Sequence, residues 1–292
     1  FSTLSSEEKI DIRNNNKKVN NEQQIKETNN PQTNLNLKSN QTVETLEKIE
    51  IQKRSANQLE EQKVYGIYEP ANYNFNLNMR STTKADDLRS SLKRLKKIEL
   101  SKSSSEILEA ILFSFSYPPE DMTEKEFVNL KVNWLIENDR VNLIEDFLKQ
   151  NNEFDSKSKA VQYLVDKNIA SANIKDGCDK IRFIDSKIKD AYLEKFKIYC
   201  LVFNNKKPEA RLLLDLLREQ KQSDKFYDDK INFLLGVTDK TSQKINEKNL
   251  LNFYLSSKTI TDFKYEPTVK TKPEIWQYLN AANLIKLEDY SD

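Results

Sequence analysis

Polar and apolar positions divide the chain into three textures. From Phe1 to about Val64 apolar residues are sparse and without period: eighteen Asn or Gln stand among ten basic and ten acidic side chains, and Phe1 is the one aromatic residue. Such a stretch has too little apolar surface to offset the entropy of ordering, so residues 1–64 are expected to be a disordered polar tail. A weak helix from Glu44 to Glu61, with Leu46, Ile49 and Leu59 on one side, is the single ordered element expected there. From Tyr65 to Met79 the pattern alternates, with Tyr73, Phe75, Leu77 and Met79 separated by asparagines after Tyr65, Ile67 and Tyr68. Period two predicts an extended arm over residues 65–83, laid against its own domain or docked on another chain. Tyr65, Tyr68, Tyr73, Phe75, Leu77 and Met79 are its candidate partner-docking residues.

Beyond Lys84 the period becomes helical, and residues 84–292 are expected to form an all-α domain of stacked antiparallel hairpins, an irregular α-solenoid. The first helix opens on Asp86 and Asp87 and closes on Arg94, Lys96 and Lys97, around a stripe of Leu88, Leu92, Leu95 and Ile98. The helix dipole accounts for that charge order. No aromatic residue interleaves the basic cluster, so no nucleic-acid contact is expected from it. A second helix starts at Ser103 to Ser105 with Glu106, carries Ile107, Leu108, Ile111, Leu112 and Phe115, and is expected to stop at Pro118 and Pro119. A third starts at Thr123, with Glu126 at capping-box spacing, and runs through Phe127, Leu130, Trp134 and Leu135. Further helices are predicted over 141–149, 158–167, 174–183, 191–203, 209–220, 226–235, 247–256 and 274–285.

Three helices end in nearly the same phrase: Trp134-Leu135-Ile136-Glu137-Asn138-Asp139, Tyr163-Leu164-Val165-Asp166-Lys167-Asn168 and Cys200-Leu201-Val202-Phe203-Asn204-Asn205, with a partial fourth at Phe233-Leu234-Leu235-Gly236. Their starts are 29, 37 and 33 residues apart. Each puts an Asn, Asp or Gly where a helix leaves through a left-handed residue. Spacing near 33 suits helix-turn-helix repeats of tetratricopeptide type.

Composition narrows the chemistry. The 292 residues hold 47 basic and 46 acidic side chains, for a net charge of +1, so bulk charge selects neither nucleic acid nor an anionic membrane. There is no histidine, which excludes imidazole bases, Ser-His-Asp arrangements and His-containing zinc sites. Three isolated glycines, Gly66, Gly177 and Gly236, cannot build a dinucleotide or Walker loop. No cofactor and no metal are expected. No apolar run approaches a bilayer-spanning length, so a soluble chain without a direct membrane span is expected. The sequence opens at Phe1 without a methionine, which suggests that something preceded it.

Cys178 and Cys200 are the two cysteines, 22 positions apart on successive helices. They are either two buried free thiols or a disulfide joining neighbouring helices. An even count with no other task for a thiol points to the bridge, and the bridge to an oxidising compartment such as the periplasm. In a simple tight hairpin the two positions would be offset, so the joint from Ile181 to Lys189 has to absorb the difference.

The run from Phe127 to Asp139, the helix bearing Cys178, the run Phe196-Lys197-Ile198-Tyr199-Cys200-Leu201-Val202-Phe203-Asn204 and the segment from Ala210 to Glu219 resemble uncharacterised alphaproteobacterial periplasmic helical-repeat, tetratricopeptide-like envelope proteins. The resemblance spans Leu88 to Ile285. It implies paired cysteines at Cys178 and Cys200 and a periplasmic location, and it brings no activity with it.

The expected function is a non-enzymatic protein–protein interaction scaffold of an envelope assembly, whose partners are other subunits or further copies of the chain. One alternative is the helical accessory region of a lytic transglycosylase-type enzyme, although no Glu-Ser dipeptide is present to open such a catalytic motif. The other is a cytoplasmic tetratricopeptide-like adaptor with free thiols. Carboxylates such as Glu106, Glu109, Glu126, Glu145 and Glu209 fit helix caps and solvated faces. Trp134, Tyr163, Phe196 and Trp276 are expected in the core.

Overall fold

The structure is a computed structural model and describes residues 63–185 and 188–285. The tail expected over 1–64, save its last two residues, and the helix expected from Glu44 to Glu61 lie outside the described residues. Among the described residues eleven α-helices follow the arm: α1 (Ala85–Leu95), α2 (Lys102–Phe113), α3 (Glu124–Glu137), α4 (Val141–Gln150), α5 (Lys157–Ala170), α6 (Ile174–Asp179), α7 (Ala191–Phe203), α8 (Lys207–Glu219), α9 (Lys225–Leu235), α10 (Leu250–Thr259) and α11 (Pro273–Ala281). The described residues contain two isolated β-bridges, Tyr68 with Ser114 and Lys84 with Glu120, and no longer strand.

Local chemistry sets the helix ends. Thr123 Oγ1 accepts the Glu126 N–H at 3.2 Å, and Ser101, Asp190, Asp224 and Asn249 cap α2, α7, α9 and α10 in the same manner. At the other end one device recurs. Asp139, Ala172, Asn205, Lys221, Gly236 and Asn283 all take positive φ. The residue after each donates its N–H back five positions, as Arg140 does to Leu135 O at 2.9 Å and Asn173 to Asn168 O at 2.8 Å, which closes a Schellman turn. The exits from α3, α5, α7 and α9 fall at 139, 172, 205 and 236, intervals of 33, 33 and 31 residues. Asn168 is not one of them. Its Nδ2 donates to Leu164 O at 2.7 Å inside the helix, and α5 runs on to Ala170.

Neighbouring helices pack in pairs, α3 on α4, α5 on α6 and α7 on α8, as hairpins require. The array is not strictly linear, because α5 also meets α3, α7, α10 and α11. Val161, Leu164, Val165 and Ile169 supply that hub with a fully buried face. A helix touched from so many sides cannot confine its buried residues to one narrow stripe, and those of α5, which include Ala160, Val161, Leu164, Val165, Ile169 and Ala170, are spread around it.

The arm departs from the sequence expectation. It is extended only at its ends; between them Pro70–Tyr73 is a 3-10 turn, Asn74 is left-handed at φ 58°, and residues 77–82 are further turns. Proline fixes the first turn, and the asparagines that separate the apolar residues bond locally, as Asn76 Oδ1 does to the Asn78 N–H at 2.8 Å, instead of continuing a pleat. Helix α2 likewise ends at Phe113, before Pro118, because residues 114–120 leave it to pair with the arm.

Candidate partner-docking surface

The arm returns to its own domain through backbone bonds. Ile67 and Tyr68 donate to Phe113 O at 2.7 and 3.2 Å, and Phe115 donates to Tyr68 O at 3.0 Å. Further along, Tyr117 donates to Leu77 O at 3.0 Å and Glu120 to Thr83 O at 3.0 Å. The approach is close enough to demand glycine: a Cβ on Gly66 would lie 2.6 Å from Phe115 N and 2.8 Å from Phe113 O. Asn151 at the end of α4 closes this joint, donating to Gly66 O at 2.8 Å and accepting the Gly66 N–H at 3.2 Å.

Two buried cations complete the fastening. Lys131, in the apolar face of α3, donates to Tyr65 O at 2.5 Å and Ser114 O at 3.5 Å. Arg80 donates to Ile111 O at 2.5 Å and Ser116 Oγ at 3.3 Å. The Lys131 amine and the Arg80 guanidinium stand 4.4 and 5.4 Å from the centre of the Phe127 ring. Burial, and next the Arg80 charge, hold the Lys131 amine well below its ordinary value. Burial brings Arg80 down to about 10. The sequence signal for Lys131 was its position: three and four residues from Val128, Phe127 and Leu135, it sits on the face that α3 buries. No comparable signal marked Arg80.

The six candidate arm residues divide by exposure. Tyr65 and Tyr68 are half-buried, Tyr65 edge-on to Phe154 with ring centres 6.5 Å apart and Tyr68 to Tyr73 at 5.7 Å. Phe75, half-buried, stacks on Tyr73 at 6.5 Å, and Met79 is also half-buried. Tyr73 and Leu77 face solvent, 42% and 38% exposed. On α2, Ile107 and Ile111, one helical turn apart, are 60% and 36% exposed. Arg80, three residues from Leu77, bonds to the carbonyl of Ile111 and so ties this helix face to the arm. Of the apolar residues the sequence assigned to this helix, Leu108 and Leu112 take the inward face and the two isoleucines do not.

The cysteines meet. Cys178 and Cys200 lie with sulfurs 2.05 Å and Cα atoms 5.5 Å apart, joining α6 to α7. Helix α6 is only six residues long, and the 3-10 turn Lys180–Phe183 and the irregular backbone after it remove the offset of a tight hairpin.

Two other polar arrangements stand out. A cavity of about 500 Å³ beside the start of the arm is lined by Lys63, Glu124, Lys125, Asp155, Lys157 and Asp185, among others. Two ion pairs cross it, Lys157 with Asp185 at 2.6 Å and Lys125 with Asp155 at 2.8 Å, and Glu124 accepts the Lys63 backbone N–H at 2.9 Å. At the hub, Tyr192 of α7 donates its hydroxyl to Asp166 of α5. Burial raises the Asp166 carboxyl to about 6, against the lowering effect of hydrogen bonds from Tyr192 and Gln162. Among the described residues no helix is long and apolar enough to cross a membrane, and no group of three or more His, Cys, Asp or Glu is placed to hold a metal ion. No protein family, curated protein or solved structure matches the chain.

Proposed function

We propose that this protein is a non-enzymatic scaffold of an envelope assembly, of the alphaproteobacterial periplasmic helical-repeat kind, and that it holds a partner protein on the edge formed by Tyr73, Leu77, Ile107 and Ile111. The observation that carries this role is a set of exposed apolar side chains on two segments with a fixed support. Exposed apolar residues usually occur singly, but here four stand on two segments joined by Arg80. Segments that only cover a core need not be fastened by two buried cations and a reciprocal Asn–Gly pair. An edge used for docking gains from such preorganisation, because less order has to be imposed on binding. The Cys178–Cys200 pairing supports an oxidising compartment. In the cavity beside the arm Asp155 and Asp185 are held by lysines, which supports structural roles for these two carboxylates over acid–base catalysis.

The test is crosslinking and affinity capture from the source cells, with wild type beside a Tyr73→Ser, Leu77→Ser, Ile107→Ser variant. All three positions are exposed, so the fold is expected to survive. Loss of the principal crosslinked partner is the expected result, and retention of every partner would remove the edge from consideration.

A further inference from the structure

Where α5 turns into α6 lies a recess of about 510 Å³, open to solvent, whose wall includes Lys175, Tyr199, Phe203, Tyr254, Lys258 and Tyr278. It belongs to neither the arm nor the disulfide. Its floor is rigid. Tyr199, Tyr254 and Tyr278 are buried; the Tyr199 and Tyr254 hydroxyls share a 2.7 Å hydrogen bond, and the Tyr278 hydroxyl lies 2.6 Å from Ser257 Oγ. The Tyr254 ring stands edge-on to Tyr199 and to Tyr278, with ring centres 5.3 and 5.6 Å apart, so the three phenols brace one another. Above this floor Phe203 is 48% exposed, its ring stacked on Tyr199 at 6.4 Å.

Charge decides what such a wall can hold. Lys175 and Lys258 are exposed, and among the described residues neither has an ion-pair partner. The Lys258 amine lies 5.6 Å from the centre of the Tyr254 ring. Among the described residues no carboxylate lines the recess, although 46 acidic residues stand against 47 basic ones in the whole chain. Two hydroxyls that share one hydrogen bond also keep one phenol hydrogen free to donate, so the Tyr199–Tyr254 pair adds a neutral donor beside the two cations. The two lysines and the phenol pair favour an anion, Asn173 at the rim already holds the Asp176 carboxylate at 2.6 Å, and Phe203 requires an apolar neighbour.

We infer that this recess binds an acidic peptide segment of a partner protein, with carboxylates against Lys175 and Lys258 and an apolar or aromatic side chain against Phe203. The inference rests on the scaffold role only in taking the occupant to be a protein. A small anion would use the lysines and leave Phe203 in water, whereas a peptide alternating acidic and apolar residues meets both.

The test is fluorescence anisotropy on the intact chain with a short labelled peptide alternating Glu with Leu and Tyr, beside a twin carrying Gln for every Glu. The Glu peptide is expected to bind, more weakly as salt is raised. Both the Gln twin and a Lys175→Glu, Lys258→Glu variant are expected to lose about tenfold or more in affinity, the loss of a charge-assisted hydrogen bond. Phe203→Ala is expected to weaken the Glu peptide too, and Tyr73→Ser with Leu77→Ser to leave it unchanged. Both lysines are exposed, and unchanged circular dichroism would establish that the charge-reversed variant is folded. Equal affinity for the two peptides, or full binding by the lysine variant, would overturn the inference. If that occurs while the arm substitutions still release a captured partner, the scaffold role stands and the recess falls. Peptide binding that survives while the arm releases nothing sinks the docking edge alone.

Discussion

Around Lys131 the arm is fastened by directional bonds to buried cations and backbone carbonyls, whereas around Leu164 six helices meet through apolar side chains braced by a disulfide between two of them. The two kinds of attachment respond differently to damage. Hydrogen bonds and buried charges are all-or-none: each net contribution is modest, but a partner left unsatisfied costs about 1–3 kcal/mol. Apolar packing is distributed, so its loss is felt by the whole cooperative unit. A docking surface belongs on the first kind of support and a frame on the second.

The largest effect is expected at the hub. Leu164→Ala removes a fully buried side chain from the helix that six others contact, and large-to-small changes of this type cost about 2–5 kcal/mol. Urea unfolding should show this as a lower midpoint with the arm and hub still melting together; a change confined to the arm would break the comparison.

Removing the bridge comes next. Cys178→Ala with Cys200→Ala opens a loop of 22 residues, worth about 3 kcal/mol on the chain-entropy model. The loss should appear equally in wild type under reducing conditions, so identical midpoints with and without reductant would contradict the bridge. The same experiment bears on compartment: alkylation of the native chain should fail until it is reduced.

A smaller effect separates the regions by pH. The folded value of Asp166, about 6, lies above its ordinary 3.8, so the folded state holds the proton more tightly. Stability from this group therefore rises as pH falls from 7 through 6, by about 1 kcal/mol between pH 7 and 5. Asp139, Asp224 and Asp229 are held below their ordinary value of 3.8 and lose their contribution only at lower pH, outside that window. Tyr192, Glu274 and Lys272 are the groups facing Asp166, and none reverses the sign. Asp166→Asn should flatten the rise in melting temperature, and an unchanged slope would sink this assignment.

Much of the hub could be read in the sequence. Capping residues announce the helix starts, as at Thr123 with Glu126, and Asp139, Asn205 and Gly236 mark the exits. Asn168 misled because its amide can close a bond inside the helix as well as beyond it. The cysteine pairing was open, since the short α6 that allows it leaves no mark in the apolar period. The arm was harder. Alternation is the pattern of a strand, but asparagine and proline turned it into successive turns, and which side of α2 it would cover depended on contacts more than forty residues apart along the chain. The recess was invisible because its wall comes from four separate helices and a turn.

The central claim is that the arm is a locally fastened element carried by an independent frame, and Gly66→Ala tests it most directly. A Cβ there collides with backbone at 2.6 Å, so the arm must lift while nothing in the hub is touched. Hydrogen exchange followed by mass spectrometry should show the amides of Ile67, Tyr68 and Phe115 losing protection about tenfold or more, with those of Leu164 to Ile169 unchanged. Equal loss of protection across both regions would contradict the claim, because lifting the arm alone would then have opened the hub as well.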